Sequence, residues 1–137
     1  MSTRISTNAR NAAAEAIALL LDAADPTPGY VEVRVGTQPA TAGDTATGAV
    51  LATIVLPLPA FDAPSGGVAT AFAVDTVTGT GDGDAGWFRA YDGNDAVVFD
   101  GSVTASGGGG QMQLNTITIS TGVDFAVISF TITMPAA

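Results

Sequence analysis

Four aspartates in the second half of the chain are concentrated in two segments that flank one predicted strand, and they could supply oxygen ligands to a cation. Asp82 and Asp84 lie in a glycine-rich segment before one predicted strand, and Asp92 and Asp95 lie in the segment after it. Ca²⁺ is bound by clusters of such oxygens. The spacing lacks the glutamate that ends the twelve-residue calcium loop, and aspartate is itself a common turn residue because its side chain bonds to nearby backbone. We therefore favour turn formation over calcium binding and predict no metal site.

The side chains that perform most acid–base and nucleophilic chemistry are missing from the sequence. It contains no His, no Cys and no Lys, and its four cations are arginines, against 13 Asp and Glu. A serine or threonine nucleophile would have no general base, and a phosphate-binding glycine loop would need a following lysine. Glu15 and Glu32 show no pairing of the kind that glycoside hydrolysis requires. We predict that the chain is not an enzyme and has no catalytic residues and no cofactor.

The aromatic residues form a second candidate site, in this case for binding. In a predicted strand over residues 86–91, alternation places Trp87, Arg89 and Tyr91 on one face and Phe88 on the other. Trp and Tyr suit interfaces because they combine a large apolar ring with a polar group. We expect one face to be core and the other to present an amphipathic aromatic residue at an interface, and we favour the core over a binding platform.

An alanine-rich helix is predicted at the start of the chain. Ser6 or Thr7 can cap a helix from Asn8 to about Ala23, which Asp25-Pro26 ends. Residues at three-to-four spacing form the predicted buried stripe: Ala9, Ala13, Ala16, Ile17, Leu20 and Ala24. Other leucines lie off this stripe, so the last two turns need cover on more than one side. The domain's own sheet and a neighbouring subunit are equal candidates for that cover.

Beyond Gly29 the hydrophobic pattern changes to the period of two that is typical of strands. The segment 30–35 predicts a strand with its valines in the core and with Tyr30, Glu32 and Arg34 outward. A turn is expected at Asp100-Gly101. The other predicted strands are 50–56, 68–74, 86–91, 96–99, 102–105, 111–119 and 124–134, the last two forming a hairpin. In the final strand the predicted inward residues are Ala126, Ile128, Phe130, Ile132 and Met134.

The strand pattern defines the predicted fold class. Short strands, frequent turn signals and many β-branched residues indicate a mainly β protein. We predict an N-terminal helix followed by an antiparallel β-sandwich of seven or eight strands, similar to a jelly roll. The length fits one domain, with residues 1–28 as an N-terminal arm and Ala-rich helix and residues 29–137 as the β-sandwich.

Charge and composition limit the possible partners. The net charge of −9 argues against nucleic acid and anionic membranes, which are bound through clustered Lys and Arg. The apolar segment 12–24 is too short to span a membrane and is interrupted by Glu15 and Asp22, so we expect a soluble protein made in the cytoplasm without an export signal. Because 47% of residues are hydrophobic and only 12% are charged, we expect apolar surface to be buried between subunits and the chain to form a homo-oligomer.

Several segments carry a resemblance to a known family. They are STNARNA at 6–12, TQPA at 37–40, GWFRAYDGN at 86–94, VFDGSV at 98–103, QLNT at 113–116 and FTITMP at 130–135. Together they resemble a family of small proteins encoded by tailed bacteriophages and prophages, over nearly the whole chain. The motifs carry no stated chemistry. The resemblance therefore implies a structural role in the virion and transfers no catalytic residues.

The function expected from this resemblance is that of a capsid decoration or cement protein that binds the phage major capsid protein or other virion proteins. The alternatives are a neck, tail or fibre protein, and a host-surface or carbohydrate-binding module that uses the aromatic strand and the aspartate loops. We expect the contact surface on the segment from Met1 to Leu21, with two arginines as ion-pair formers. The predicted contact residues are Arg4, Ile5, Arg10, Ile17, Leu21, Trp87 and Tyr91.

Overall fold

The computed structural model describes residues 3–74 and 76–135 of the chain. The fold is mainly β, with 39% of residues in strands and 12% in an N-terminal helix, as predicted. The helix, α1, spans Thr7–Asp22. The strands are β1 Tyr30–Val35, β2 Val50–Val55, β3 Val68–Thr70, β4 Val77–Thr78, β5 Gly83–Tyr91, β6 Val97–Ala105, β7 Met112–Leu114, β8 Thr118–Ile119, β9 Asp124–Phe125 and β10 Val127–Thr133.

The predicted helix forms, but it buries a different face. Ser6 caps it, since the Ser6 Oγ accepts a hydrogen bond of 3.1 Å from the Ala9 N–H. The core receives Ala14, Ala18 and Leu21, whereas all six residues of the predicted stripe, including Leu20, are exposed or only partly buried. An alanine-rich helix has apolar residues on nearly every face, so the sequence pattern does not select one. The neighbours β3, β10 and β6 select it instead.

The main sheet has eight strands. Seven follow the order β2-β1-β5-β6-β7-β10-β3, and β8 pairs with β5, while β4 and β9 form a separate two-stranded sheet. All of these pairs are antiparallel except β6–β7, which is parallel. The sheet is therefore mixed, whereas the sequence predicted a purely antiparallel arrangement. The parallel overlap covers only three residue pairs, from Val103↔Met112 to Ala105↔Leu114. The four-glycine loop 107–110 can return the chain over so short a distance because Gly107 and Gly109 adopt positive φ.

The predicted turn at Asp100-Gly101 is wrong, because β6 runs through it without a break. Gly101 pairs with Phe88 across the sheet, and a Cβ at this position would lie 2.4 Å from the Phe88 ring. Glycine is therefore present to admit a ring and not to bend the chain. Asp100 also has a role other than turn formation, since its carboxylate accepts hydrogen bonds from Arg89 on the neighbouring strand.

The core lies between α1 and one face of the curled sheet. Val31 and Val33 of β1 face inward as predicted, and Phe88 packs edge-on against Phe99 and Phe130 at 5.5 Å and 5.2 Å. In β10, Phe130 is buried as predicted, but Ile128 is exposed because the register shifts between Val127 and Ser129. Such a bulge reverses the alternation of side chains. The predicted last hairpin is also divided: β7 pairs with β10, but β8 joins β5 and β9 joins β4.

Candidate interaction surfaces

The outer face of β1, β5 and β6 carries the aromatic and charged residues that the sequence singled out. The registers Tyr30↔Tyr91, Glu32↔Arg89 and Arg34↔Trp87 place them in adjacent rows. We call this set, together with Asp100, the aromatic–arginine layer. Its existence follows from the period of two in both strands, which places alternate residues on the same face of the sheet.

The centre of the aromatic–arginine layer is a buried ion pair. Arg89 Nε donates to Asp100 Oδ1 at 2.7 Å, and Arg89 Nη2 donates to Asp100 Oδ2 at 2.9 Å, which is the bidentate geometry. The two side chains are only 4% and 3% exposed. Arg89 Nη1 also donates to the Asp44 carbonyl at 2.7 Å, so the loop 36–48 is fixed over this part of the sheet. The hydrogen bonds to Asp100 raise the pKa of Arg89 further, against the effect of its burial.

Trp87 lies beneath these arginines and is 0% exposed. The Arg89 Cζ is 5.4 Å from the Trp87 ring centroid and the Arg34 Cζ is 6.0 Å from it, distances at which a cation attracts the ring. The Trp87 Nε1 has no hydrogen-bond partner among residues 3–74 and 76–135. Packing and cation–π contacts therefore hold the indole, and it offers no surface to a sugar or a partner. The preferred core assignment for Trp87 is confirmed, and its place among the contact residues is corrected.

The two tyrosines complete the aromatic–arginine layer. The Tyr30 and Tyr91 rings stack at 4.9 Å, and the Tyr30 hydroxyl donates to Asp95 Oδ1 at 2.8 Å. Burial and the hydrogen bond to Asp95 raise the pKa of Tyr30 well above its ordinary value. Burial, and then the hydrogen bond to Glu32, raises the pKa of Tyr91. Tyr91 is only partly buried, so among the three aromatic residues Trp87, Phe88 and Tyr91 of β5 it is the one that keeps some accessible surface.

The four aspartates of the candidate cation site do not converge. Asp82 Oδ1 accepts from the Thr121 N–H at 2.8 Å, and Asp84 Oδ1 accepts from the Thr118 hydroxyl at 2.9 Å. Asp92 lies at the other end of the nine-residue strand β5, on the order of 25 Å away, and its Oδ1 accepts two backbone N–H bonds within its own turn. Within the described part of the chain, no group of three or more acidic residues, His or Cys could hold a metal ion. The carboxylates act as turn and loop acceptors.

The N-terminal contact residues divide into exposed and internal ones. Arg4 and Ile5 are exposed, ahead of the helix. Arg10 is used within the chain, because its Nε and Nη2 donate to the Met134 carbonyl at 3.3 and 3.0 Å. Ile17 is partly buried against the core and Leu21 is 0% exposed, so Leu21 offers no contact surface and is corrected to a core residue. Met1 lies outside the described residues.

Two apolar surfaces remain open to solvent. One is the outer side of α1, where Leu19 is 58% exposed and Leu20 54% exposed. The other is a shallow groove of about 40 Å³ between β2, the segment 71–74 and β10, where Phe72 and Ile128 project. No charged residue lines this sheet groove among the described residues. In a chain with a net charge of −9, a groove whose described lining residues are all uncharged is suited to an uncharged apolar partner.

Sequence reasoning missed the sheet groove. The groove brings together residues far apart in sequence, and Ile128 is exposed only because of the bulge in β10. The sequence partly indicates the exposed leucines of α1, since it places apolar residues on more than one face of the predicted helix. No pattern available in the sequence distinguishes the covered face from the open one.

In comparisons with protein families, with curated proteins and with solved structures, the chain has no match. Among residues 3–74 and 76–135, no helix has the length and apolar content needed to cross a membrane. The fold and the surfaces define a mainly β protein with two apolar surfaces and a buried ionic layer. The resemblance to small phage proteins stays a prediction from the sequence motifs.

Proposed function

We propose that this chain is a non-enzymatic structural protein of a tailed-phage virion, and in the first place a capsid decoration or cement protein. The observation that carries the proposal is the open apolar surface beside a complete core. Phe72 and Ile128 are 43% and 53% exposed on a groove whose lining, among the described residues, carries no charge, although the chain has enough buried apolar residues to form its own core. Surfaces of this kind are typical of subunit contacts.

The proposed mechanism is thermodynamic linkage. A protein that binds the assembled shell and not its dissociated subunits shifts the equilibrium toward the shell, by about 2.7 kcal/mol per site at a free concentration one hundred times the dissociation constant. The acidic exterior fits such a role, because it disfavours binding to the packaged nucleic acid. Support for the virion location comes from the sequence resemblance alone.

The finer architecture belongs to the same proposal. We propose a jelly-roll-like sandwich as the arrangement of the strands, supported by the mainly antiparallel pairing and by the curl that brings β2 and β10 to one groove. A neck, tail or fibre location is the alternative and uses the same surfaces at a lower copy number. A carbohydrate-binding role has less support, because the Trp87 ring that would stack on a sugar is enclosed.

The test is the copy number of this protein in purified particles, measured by quantitative mass spectrometry against the major capsid protein. We expect about one copy per capsid subunit, or per few subunits. A handful to a few dozen copies would move the protein to the neck, tail or fibres, and its absence would overturn the virion assignment.

A surface variant tests the groove itself. We expect the double variant Phe72→Ser, Ile128→Ser to fold but to add back poorly to particles that lack the protein. The matched control is Val123→Ser, because Val123 is 57% exposed in a turn away from the groove. If the double variant and the control variant bound equally well to particles that lack the protein, the sheet groove would be refuted as the contact surface.

A further inference from the structure

The outer side of α1 carries a regular apolar stripe that the chain leaves open. Ala9, Ala12, Ala16, Leu19 and Ala23 follow one another at spacings of three, four, three and four residues, and all are exposed. This spacing is that of the seam between two packed helices. The opposite stripe of Ala14, Ala18 and Leu21 is used by the core, so the helix has two apolar sides and its own sheet covers one.

We propose that a second copy of this chain covers the outer stripe, with the two α1 helices antiparallel about a two-fold axis that passes between Ala12 and Ala16, at the level of Ala14 along the helix. The stripe is symmetric about this residue: Ala12 and Ala16 lie two positions to either side, and Ala9 and Leu19 lie five. In an antiparallel pair, Ala12 therefore faces Ala16 of the second copy, and Leu19 faces Ala9. Small residues at the axis let the backbones approach, and each leucine packs against an alanine.

The symmetry favours a second copy over an unrelated helix. A two-fold interface uses the same patch on both subunits, so the patch must complement itself. The α1 stripe meets this requirement in size, since Leu19 faces the small Ala9 and the alanines at positions 12 and 16 face each other. A parallel pair would place Leu19 against Leu19, Glu15 against Glu15 and Arg4 against Arg4, which leaves like charges together.

Charge at the ends of the helix supports the same arrangement. Arg4 is exposed and forms no ion pair with the residues that the structure describes. It lies three positions before Thr7, the first residue of the helix, so antiparallel packing brings it to the C-terminal end of the second copy's helix, where Asp25 is exposed. A cleft next to Leu19 is lined by Glu15, Asp22 and Asp62, which adds negative charge where the second copy's Arg4 arrives. Antiparallel packing also places each helix N-terminus beside the other's C-terminus, so the helix dipoles attract.

This inference does not depend on the virion assignment and is tested on the purified full chain. Sedimentation velocity over a range of concentrations is expected to show a monomer–dimer equilibrium. Leu19→Glu should raise the dissociation constant more than about tenfold, because it buries a charge in place of a leucine. Val123→Glu is the matched control, since Val123 has nearly the same exposure, and it should leave the equilibrium unchanged. Circular dichroism verifies that both variants fold.

Charge reversal and cross-linking test the orientation. Arg4→Glu and Asp25→Arg should each weaken the dimer, and the double variant should restore it.

Because the chain has no cysteine, introduced thiols report contacts without interference. An equal mixture of Ala12→Cys and Ala16→Cys should oxidise mainly to the mixed dimer. A monomer at every concentration, a dimer insensitive to Leu19→Glu, or homodimers as the main oxidised product would overturn the proposal.

Discussion

Breaking the buried ion pair of the aromatic–arginine layer should be the most damaging single charge change in the chain. Asp100→Asn keeps the size of the side chain but leaves the Arg89 guanidinium without a counter-charge where it is 4% exposed. Removing one partner of a buried pair typically costs about 3 to 5 kcal/mol, because the remaining charge has been taken out of water. The chain has 137 residues, so an unfolding entropy of about 2.1 cal/mol/K per residue gives about 0.3 kcal/mol/K. The melting temperature should fall by about 10 to 17 °C.

The assay is urea and thermal unfolding at pH 7, followed by circular dichroism and by the fluorescence of the single tryptophan. Trp87 lies 5.4 Å from the Arg89 Cζ and so reports disturbance at the pair. Glu32→Gln is the control: its partner Arg34 is 2.9 Å away, but this pair is more exposed and should contribute less than about 1 kcal/mol. If Asp100→Asn cost no more than Glu32→Gln, the energetic reasoning about the layer would be refuted. Replacing Arg89 and Asp100 together by Met and Leu should recover much of the loss.

Two further changes have measurable outcomes. The folded-state pKa of Tyr30 is raised above its ordinary value, so its protonated form stabilises the fold below about pH 10, and this contribution is lost as pH rises further. The difference in unfolding free energy between wild type and Tyr30→Phe should therefore shrink above pH 10, and a constant difference in urea titrations at pH 8 to 11 would contradict this. Gly67→Ala should cost more than Gly66→Ala, by about 0.5 to 1.5 kcal/mol, although both have positive φ, because the flexible Arg10 side chain must move and weaken its hydrogen bonds to the Met134 carbonyl. A Cβ on Gly67 would lie 2.6 Å from the Arg10 guanidinium, whereas one on Gly66 meets nothing within 4 Å; equal melting temperatures would argue against this contact.

The parts of the fold that depend on local pattern could be predicted from the sequence. The cap at Ser6, the mainly β class and the inward valines of β1 follow from residue type and from the strand period. The outward row of Tyr30, Glu32 and Arg34 was predicted for the same reason, and the structure pairs it with Trp87 and its neighbours.

The parts that depend on contacts distant in sequence could not be predicted. The parallel pairing of β6 with β7 requires knowing where the glycine loop returns, and Gly101 had the sequence signature of a turn although it makes room for Phe88. The exposure of Ile128 depends on a β-bulge in β10, and the two-residue period of a strand does not show where such a bulge lies. The buried state of Trp87 depends on Arg89 and on the loop 36–48, whose Asp44 carbonyl accepts a hydrogen bond from Arg89.

The anchoring of Arg10 to Met134 has a consequence for the order of folding during synthesis. These residues are 124 positions apart, and the neighbouring Asn11 holds Gly67 by accepting a hydrogen bond of 2.7 Å from its N–H. The strand β10 that precedes Met134 also pairs with β3 and β7. The helix can contact Gly67 and β3 once these have been synthesised, but its docking is complete only after β10 follows. The cooperative step must therefore come after synthesis of β10. Such a high separation between contacting residues is associated with slow folding, which makes the unfinished chain a natural client of chaperones.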